Sequence, residues 1–474
     1  VSVFRRKIEK IDQSPSYFGD YLQGTIDRKH ILSFHAINIA NDQTALYGSV
    51  FDRIKITVLA KLKVGSASVP TGKWRPQGAT RQFESGNFLS NTGPSLYAGF
   101  IAMTEVYFKK ATYDYTVLKP IIFEMLETIL GDRIHSKSRV LVKPNFLSPA
   151  KPEKAILTHP LVVRATVEYV LGKGGRPLVA DSPGMGSFER ILKEGGFKDA
   201  FDKINRHVEF KPFKATVRVN IGEPFGEIAI ARSAVESDVV INLAKLKTHT
   251  QMLLTLGVKN LFGCIVGLTK PEWHLRSGVD RNMFARLLVQ IYQAIQPAAT
   301  LVDGILALEG QGPGRRGKPR HVGVLVGSRS SLAADLAICR MLGIAPHQLP
   351  TLYAAEELGV LDGEPKIIGD FSEISNYQLP KLGSLTFGPK PMQKFMRKHF
   401  IQRPAVEAEV CKMCGECWHI CPAKAISPYE EIIGFDYDRC IRCYCCIEVC
   451  PHGALQAVET LPGRLLRRIT NLNE

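Results

Sequence analysis

Cys411-Lys-Met-Cys414-Gly-Glu-Cys417-Trp-His-Ile-Cys421-Pro422 is followed by a second run, Cys440-Ile-Arg-Cys443-Tyr-Cys445-Cys446-Ile-Glu-Val-Cys450-Pro451. Each run has the form C-x2-C-x2-C-x3-C-P, the spacing with which bacterial two-cluster modules hold cubane iron–sulfur clusters. Three closely spaced thiolates converge on one cluster, and the fourth comes from the other run. The rule assigns Cys411, Cys414, Cys417 and Cys450 to one [4Fe–4S] cluster. It assigns Cys440, Cys443, Cys446 and Cys421 to the other. Pro422 and Pro451 turn the chain away after each fourth cysteine, through their fixed φ and missing N–H. A zinc ribbon would need only four ligands on two hairpins, and a disulfide framework suits a small secreted chain. Both fit eight matched cysteines poorly. Cys445 is surplus to the spacing and reads as a small apolar packing residue. An alternative ligand and a redox-sensitive thiol are its other readings.

Working outward, nine of the eleven cysteines lie between Cys411 and Cys450, leaving only Cys264 and Cys339 elsewhere. Cysteine therefore serves a metal site here, which favours a reducing cytoplasm. At 474 residues, with 45% hydrophobic and 22% charged residues, the chain has the composition of a globular protein of two or three domains. It shows no apolar run long enough to span a membrane and no secretion-type leader. The formal net charge is +16. The basic residues are spread out, without stacking aromatics beside them, which argues against a nucleic-acid partner. The excess fits a basic surface with some lysines kept for an anionic ligand.

Residues 1–102 are irregular in pattern, and the first methionine is Met103, directly before Thr104-Glu-Val-Tyr-Phe-Lys-Lys. We expect Met103 to be the natural start and 1–102 an upstream extension or poorly ordered tail. A genuine N-terminal domain is the other reading. From 103 to 370 strands and helices alternate. The pattern predicts helices at Val117–Leu130, Pro160–Gly172, Phe188–Gly195, Met283–Ala294 and Ser331–Leu342. It predicts strands at Arg139–Lys143, Pro177–Ala180, Val239–Asn242, Ala299–Val302 and Val322–Val326. This is an α/β class: an open, mainly parallel sheet with helices on both faces. A linker follows at 371–404, with a short basic helix at Met392–His399. A small α+β ferredoxin-like two-cluster domain (405–460) and a basic tail (461–474) complete the chain.

In open α/β sheets a ligand sits beyond the carboxyl ends of the strands. Polar residues gather there: Lys143 and Asn145, Asp181, Lys245, Lys247 and His249, Lys259 and Asn260, and Asp303 after a strand closing on Asp303-Gly304. Together they describe a cationic pocket for a small anion, with His249 moving protons. Each has a plainer reading as a surface lysine, a turn cap or a structural histidine; His159 and His274 are weaker candidates. Gly312-Pro-Gly314-Arg-Arg-Gly317 matches a dinucleotide-binding glycine pattern, but it precedes a strand rather than a helix. It reads as a flexible loop over the pocket, and no nicotinamide site is expected.

Six motifs occur in this order: Lys143-Pro-Asn145, Thr158-His-Pro160, Ala180-Asp-Ser-Pro183, Lys245-Leu-Lys-Thr-His249, Gly257-Val-Lys-Asn-Leu-Phe-Gly263 and Asp303-Gly. Over about 103–458 the chain thereby resembles the domain-of-unknown-function 362 family. Members often carry a fused two-cluster ferredoxin module, surplus cysteine included. The resemblance implies an iron–sulfur protein with an uncharacterised α/β domain and supplies no substrate. The expectation is a redox protein whose two [4Fe–4S] clusters relay electrons to or from the anion pocket, working with a redox partner protein. The alternatives are a non-catalytic ferredoxin-type carrier or scaffold that docks an enzyme, and a maturation factor.

Overall fold

The computed structural model describes residues 103–204, 207–267, 269–277, 280–361, 363–380 and 401–462, together with 395, 399 and 464. The readings for 1–102, the Met392–His399 helix and most of the tail lie outside the described residues.

Among the described residues, eleven strands precede the cysteine module: β1 (Glu105–Lys110), β2 (Arg139–Lys143), β3 (Arg176–Asp181), β4 (Glu209–Pro212), β5 (Thr216–Asn220), β6 (Glu227–Ala231), β7 (Val239–His249), β8 (Leu253–Thr255), β9 (Ala299–Gly310), β10 (Gly317–Ser328) and β11 (Lys366–Gly369). The main sheet runs β11-β1-β10-β9-β7-β2-β3-β4, with β8 paired to β7; β5 and β6 form a separate hairpin. Pairings β1–β11, β2–β3, β2–β7, β3–β4 and β7–β9 are parallel. Only β1–β10, β9–β10 and β7–β8 are antiparallel within it. The sheet is therefore mixed but mainly parallel.

Alternation along the strands feeds two cores. Val140 and Val142 of β2 pack with the helices Tyr115–Leu130 and Pro160–Gly172, while Leu141 joins the core formed with Arg281–Ile295 and Ser331–Met341. The first helix shows how local sequence specifies this. Asp114 caps it by accepting from Thr116 N at 2.9 Å, and Leu118, Ile122, Met125 and Ile129 recur on one buried face. Pro160 starts the next helix, with His159 Nδ1 accepting from Leu161 N at 3.3 Å.

β7 and β9 run well beyond the strands the sequence suggested. Val239–His249 is buried throughout, and β9 passes through Asp303-Gly304 to Gly310. The polar residues that look like strand ends are buried inside the strands because partners satisfy them. A Cβ on Gly304 would lie 3.0 Å from Val324 Cγ1 and 3.2 Å from Leu246 Cδ2, so glycine lets β9 pack tightly there.

In the cysteine module β12 (Arg403–Val406) pairs with β15 (Leu455–Val458), and β13 (Ile426–Tyr429) with β14 (Ile432–Phe435). Short helices at Glu416–His419 and Cys445–Val449 occupy matching places in the two runs. The repeat extends to the backbone: Met413 and Gly415 have positive φ, and so do their counterparts Arg442 and Tyr444. β12 begins at Arg403, inside the stretch read as linker. Among the described residues no helix is long and apolar enough to cross a membrane.

Candidate functional site

Cys411, Cys414, Cys417 and Cys450 line one cavity of the module, closed by Ile433 and Leu455. Burial, then the neighbouring Cys450 and Cys414, pushes the Cys417 thiol up to about 12. In the other ligand group burial raises Cys421, with Cys443 and Cys440 adding to it. Ala425 N donates to Cys421 Sγ at 3.3 Å, and Ala454 N donates to Cys450 Sγ at 3.2 Å, again at matching positions. Two crossed groups of cysteines, each with an N–H aimed at one sulfur, fit iron–sulfur cubanes.

In the α/β domain two lysine–carboxylate pairs are fully buried. Lys143 Nζ lies 3.0 Å from Asp181 Oδ1, whose carboxylate also accepts from Phe146 N at 2.8 Å and Ser182 N at 2.9 Å. A Cβ on Gly263 would come within 2.2 Å of Asp181 Oδ1 and 2.6 Å of Lys143 Nζ, so only glycine fits against this pair. Lys245 Nζ donates to Asp303 Oδ2 at 2.7 Å and to Tyr113 OH at 3.0 Å. Asp303 also accepts from Tyr113 OH at 2.8 Å and His159 N at 3.0 Å. Tyr113 in turn stacks on His159, ring centroids 3.6 Å apart. Burial alone would raise Asp303, but Lys245 and these donors outweigh it and hold the carboxyl below its usual value. Burial lowers the Lys245 ammonium.

Lys247 and His249 follow Lys245 at alternate positions of β7, and they border a cavity of about 110 Å³. Lys259 and Lys270 also reach it. On one side it is walled by the cysteine module, through Ile420, Cys445, Glu448 and Val449. Lys247 Nζ donates to Asn145 Oδ1 at 2.7 Å and to Ile156 O at 2.8 Å. Asn145 Nδ2 donates to Asn260 Oδ1, and Asn260 Nδ2 to Asn242 Oδ1, each at 2.8 Å. Asn242 Nδ2 donates to Gly257 O at 2.9 Å, so the amide chain has a single direction and holds Lys247 in place. Lys270 Nζ donates to Ser182 O.

His249 Nδ1 accepts from Gln251 N at 3.1 Å and Met252 N at 3.2 Å, which leaves the proton of the neutral ring on Nε2. Nε2 sits 2.9 Å from Glu448 Oε1 yet out of line for a hydrogen bond. Both atoms are buried without another partner, as are His274 Nδ1 and Thr255 Oγ1 on the same cavity. Burial, with Lys259 adding, lowers His249 to about 4 against the pull of Glu448, so the ring is neutral near pH 7. Burial would raise Glu448, yet His249 above all, with Lys259 and His274, holds the carboxyl below its usual value. Burial lowers Lys247 to about 7 and Lys270 to about 8. The loop containing Gly312–Gly317 joins the two parts of the site. Arg316 pairs with Glu407 at 2.6 Å and donates to Gly453 O at 2.8 Å, while Arg315 donates to Pro149 O at 3.1 Å.

The pattern of a family described as a domain of unknown function (DUF362) matches residues 140–340, and that of a 4Fe-4S dicluster domain matches 403–451. A thylakoid-associated protein of Synechocystis sp. is 35% identical over 280 residues, 58% of this chain and 86% of that protein. The chain belongs to the DUF362 family. Its cysteine module is also similar to the pyruvate synthase subunit PorD of Thermotoga maritima, at 41% identity over 63 residues, 13% of this chain and 61% of that one. Similarity to the electron transport protein HydN of Escherichia coli is 38% over 53 residues, 11% of this chain and 30% of that one. The chain thus spans less than two thirds of these two iron–sulfur relatives. Among solved structures, the lactate racemase apoprotein of Thermoanaerobacterium thermosaccharolyticum aligns with 51% of this chain and 58% of its own, at 15% identity and a TM-score of 0.35.

The DUF362 motifs divide by placement. Asn145, Asp181, Lys247, His249, Lys259 and Asn260 line the cavity. Lys143 stands behind Asp181, and Lys245 with Asp303 forms the closed network away from the cavity lining. Asp303 sits within β9 rather than at a strand end, for the reason given above. Sequence reasoning missed Lys270 and Glu448, and it read Cys445 as packing. The available signals were an acidic residue in the otherwise apolar Cys446–Cys450 gap and a lysine close to His274.

Proposed function

We propose that this is an iron–sulfur redox protein in which two [4Fe–4S] clusters supply or accept single electrons beside an anion-binding cavity in the α/β domain. The observation that carries this reading is the shared wall. The Cys445–Val449 helix, which bears Cys446, lines the same cavity as Lys247, Lys259 and Lys270. Among the described residues Lys247, Lys259 and Lys270 line the cavity with Asp181 and Glu448, so the lining is cationic on balance when the lysines are protonated. That balance supports an anion. Lys247, Lys259 and Lys270 hold it, and Asn145 and Asn260 fix Lys247. His249 keeps a proton on Nε2 that it can share with the bound molecule. Lys245 and Asp303 take a bracing role beneath the strand. Carrying the module and the cavity on one chain raises the effective concentration of one at the other. The names of the relatives matched by the cysteine module support a redox partner protein on its outer face.

The test is anaerobic purification, which should yield about eight irons per chain. Stopped-flow oxidation of the reduced protein with and without small anions follows. Anion-dependent oxidation that His249→Ala and Lys247→Met suppress is the expected result. Oxidation indifferent to every anion, but driven by a partner protein alone, would mean a carrier.

A further inference from the structure

We infer that the cavity takes a small organic carboxylate with an apolar body rather than an inorganic oxyanion. The inference rests on the anion-site reading above and narrows it. Size is the first argument. At about 110 Å³ the cavity is of the order of one, about 150 Å³, that takes in a six-membered aromatic ring. Lining is the second. Phe146, Leu147, Phe262 and Pro271 from the α/β domain face Ile420 and Val449 from the cysteine module, so the charged groups share the cavity with an apolar wall on both sides.

Donor chemistry is the third. Phosphate and sulfate sites gather free backbone N–H groups or the planar fork of arginine. Here the N–H groups of the lining glycines Gly184 and Gly267 are taken by Leu147 O and Ser182 Oγ. The cations that reach the cavity are lysines, point charges that hold an anion without a planar fork. Finally, His274 Nδ1 and Thr255 Oγ1 are buried and unpartnered around this space, and His249 Nε2 has only Glu448 beside it. Buried polar atoms of that kind are satisfied in native proteins, and oxygens of a bound acid meet the need.

The experiment is calorimetric titration of the anaerobically purified, cluster-loaded protein with acetate, butanoate, hexanoate and benzoate, against sulfate and phosphate at constant ionic strength. Affinity should rise about fourfold for each methylene buried. Benzoate should bind at least about tenfold more tightly than acetate, sulfate or phosphate. Lys259→Met should weaken every acid, whereas Leu147→Ala should weaken benzoate and spare acetate. Sulfate or phosphate binding as tightly as benzoate, or an affinity independent of chain length, overturns this inference while leaving the anion site standing. If no anion binds at all, the anion site itself is wrong.

Discussion

Lys245 and Lys247 stand on the same strand and the same face, two residues apart, and they have opposite fates. Around Lys245 partners are supplied within the protein: Asp303 collects donors from Lys245, Tyr113 and His159. Around Lys247 and His249 a cavity opens, where His274 Nδ1 and Thr255 Oγ1 are buried without partners and His249 Nε2 has only Glu448 beside it. A closed network is architecture, because nothing in it waits for a ligand. An open one costs stability and is retained where something binds. Polar residues inside a strand are therefore not evidence of a site until their partners are counted.

The largest expected effect would break the comparison at its closed end. Asp303→Ala leaves Lys245 buried and unpaired, and should cost about 3–5 kcal/mol in denaturant unfolding. At the open end Lys247→Met should leave stability unchanged or slightly higher, because it removes a buried charge, while anion affinity falls at least about tenfold. If the two variants exchanged these phenotypes, the assignment of the regions would be reversed. A smaller effect is expected where the regions meet. Arg316→Ala removes a partly exposed pair with Glu407 and should cost under about 1 kcal/mol in stability. It should nevertheless weaken anion binding severalfold by loosening the cavity wall, with iron content unchanged.

The most modest prediction concerns pH. Burial, with Lys259 and Lys245 adding, lowers Lys247 to about 7 against Glu448 and Asp181. Burial, with Lys143 and Lys259 adding, lowers Lys270 to about 8 against Asp181 and Cys264. An anion favours the ammonium forms, so binding takes up protons and affinity should decline as pH rises above about 7. Calorimetry in buffers of different ionisation enthalpy reads this uptake directly. For the protein alone the sign is opposite. The unfolded chain holds these protons up to about pH 10, so the two lysines make stability rise with pH between about 7 and 10.

Much of this molecule was legible in its sequence, and what was not has a common cause. Pro160 and the helical spacing of apolar residues marked helices because helix signals are local. The crossed cysteine groups were legible because ligand spacing is local too. β7 and β9 read short because lysine, histidine and aspartate within them look solvent-seeking until their partners, over fifty positions away in the case of Lys245 and Asp303, are known. The site divided in the same manner. Lys247, His249 and Lys259 follow one strand and could be grouped from sequence. The wall formed by Cys445 and Glu448 arrives from the far end of the chain, where their spacing spoke only of clusters.

The most direct test of the shared cavity is a titration of the reduced protein with benzoate, followed by electron paramagnetic resonance. The account predicts that the signal of one of the two clusters shifts, saturates with calorimetric binding, and moves to higher benzoate concentration in Lys259→Met. Benzoate that binds by calorimetry while both signals stay unchanged would contradict it, since the bound acid would then lie away from the Cys445–Val449 wall.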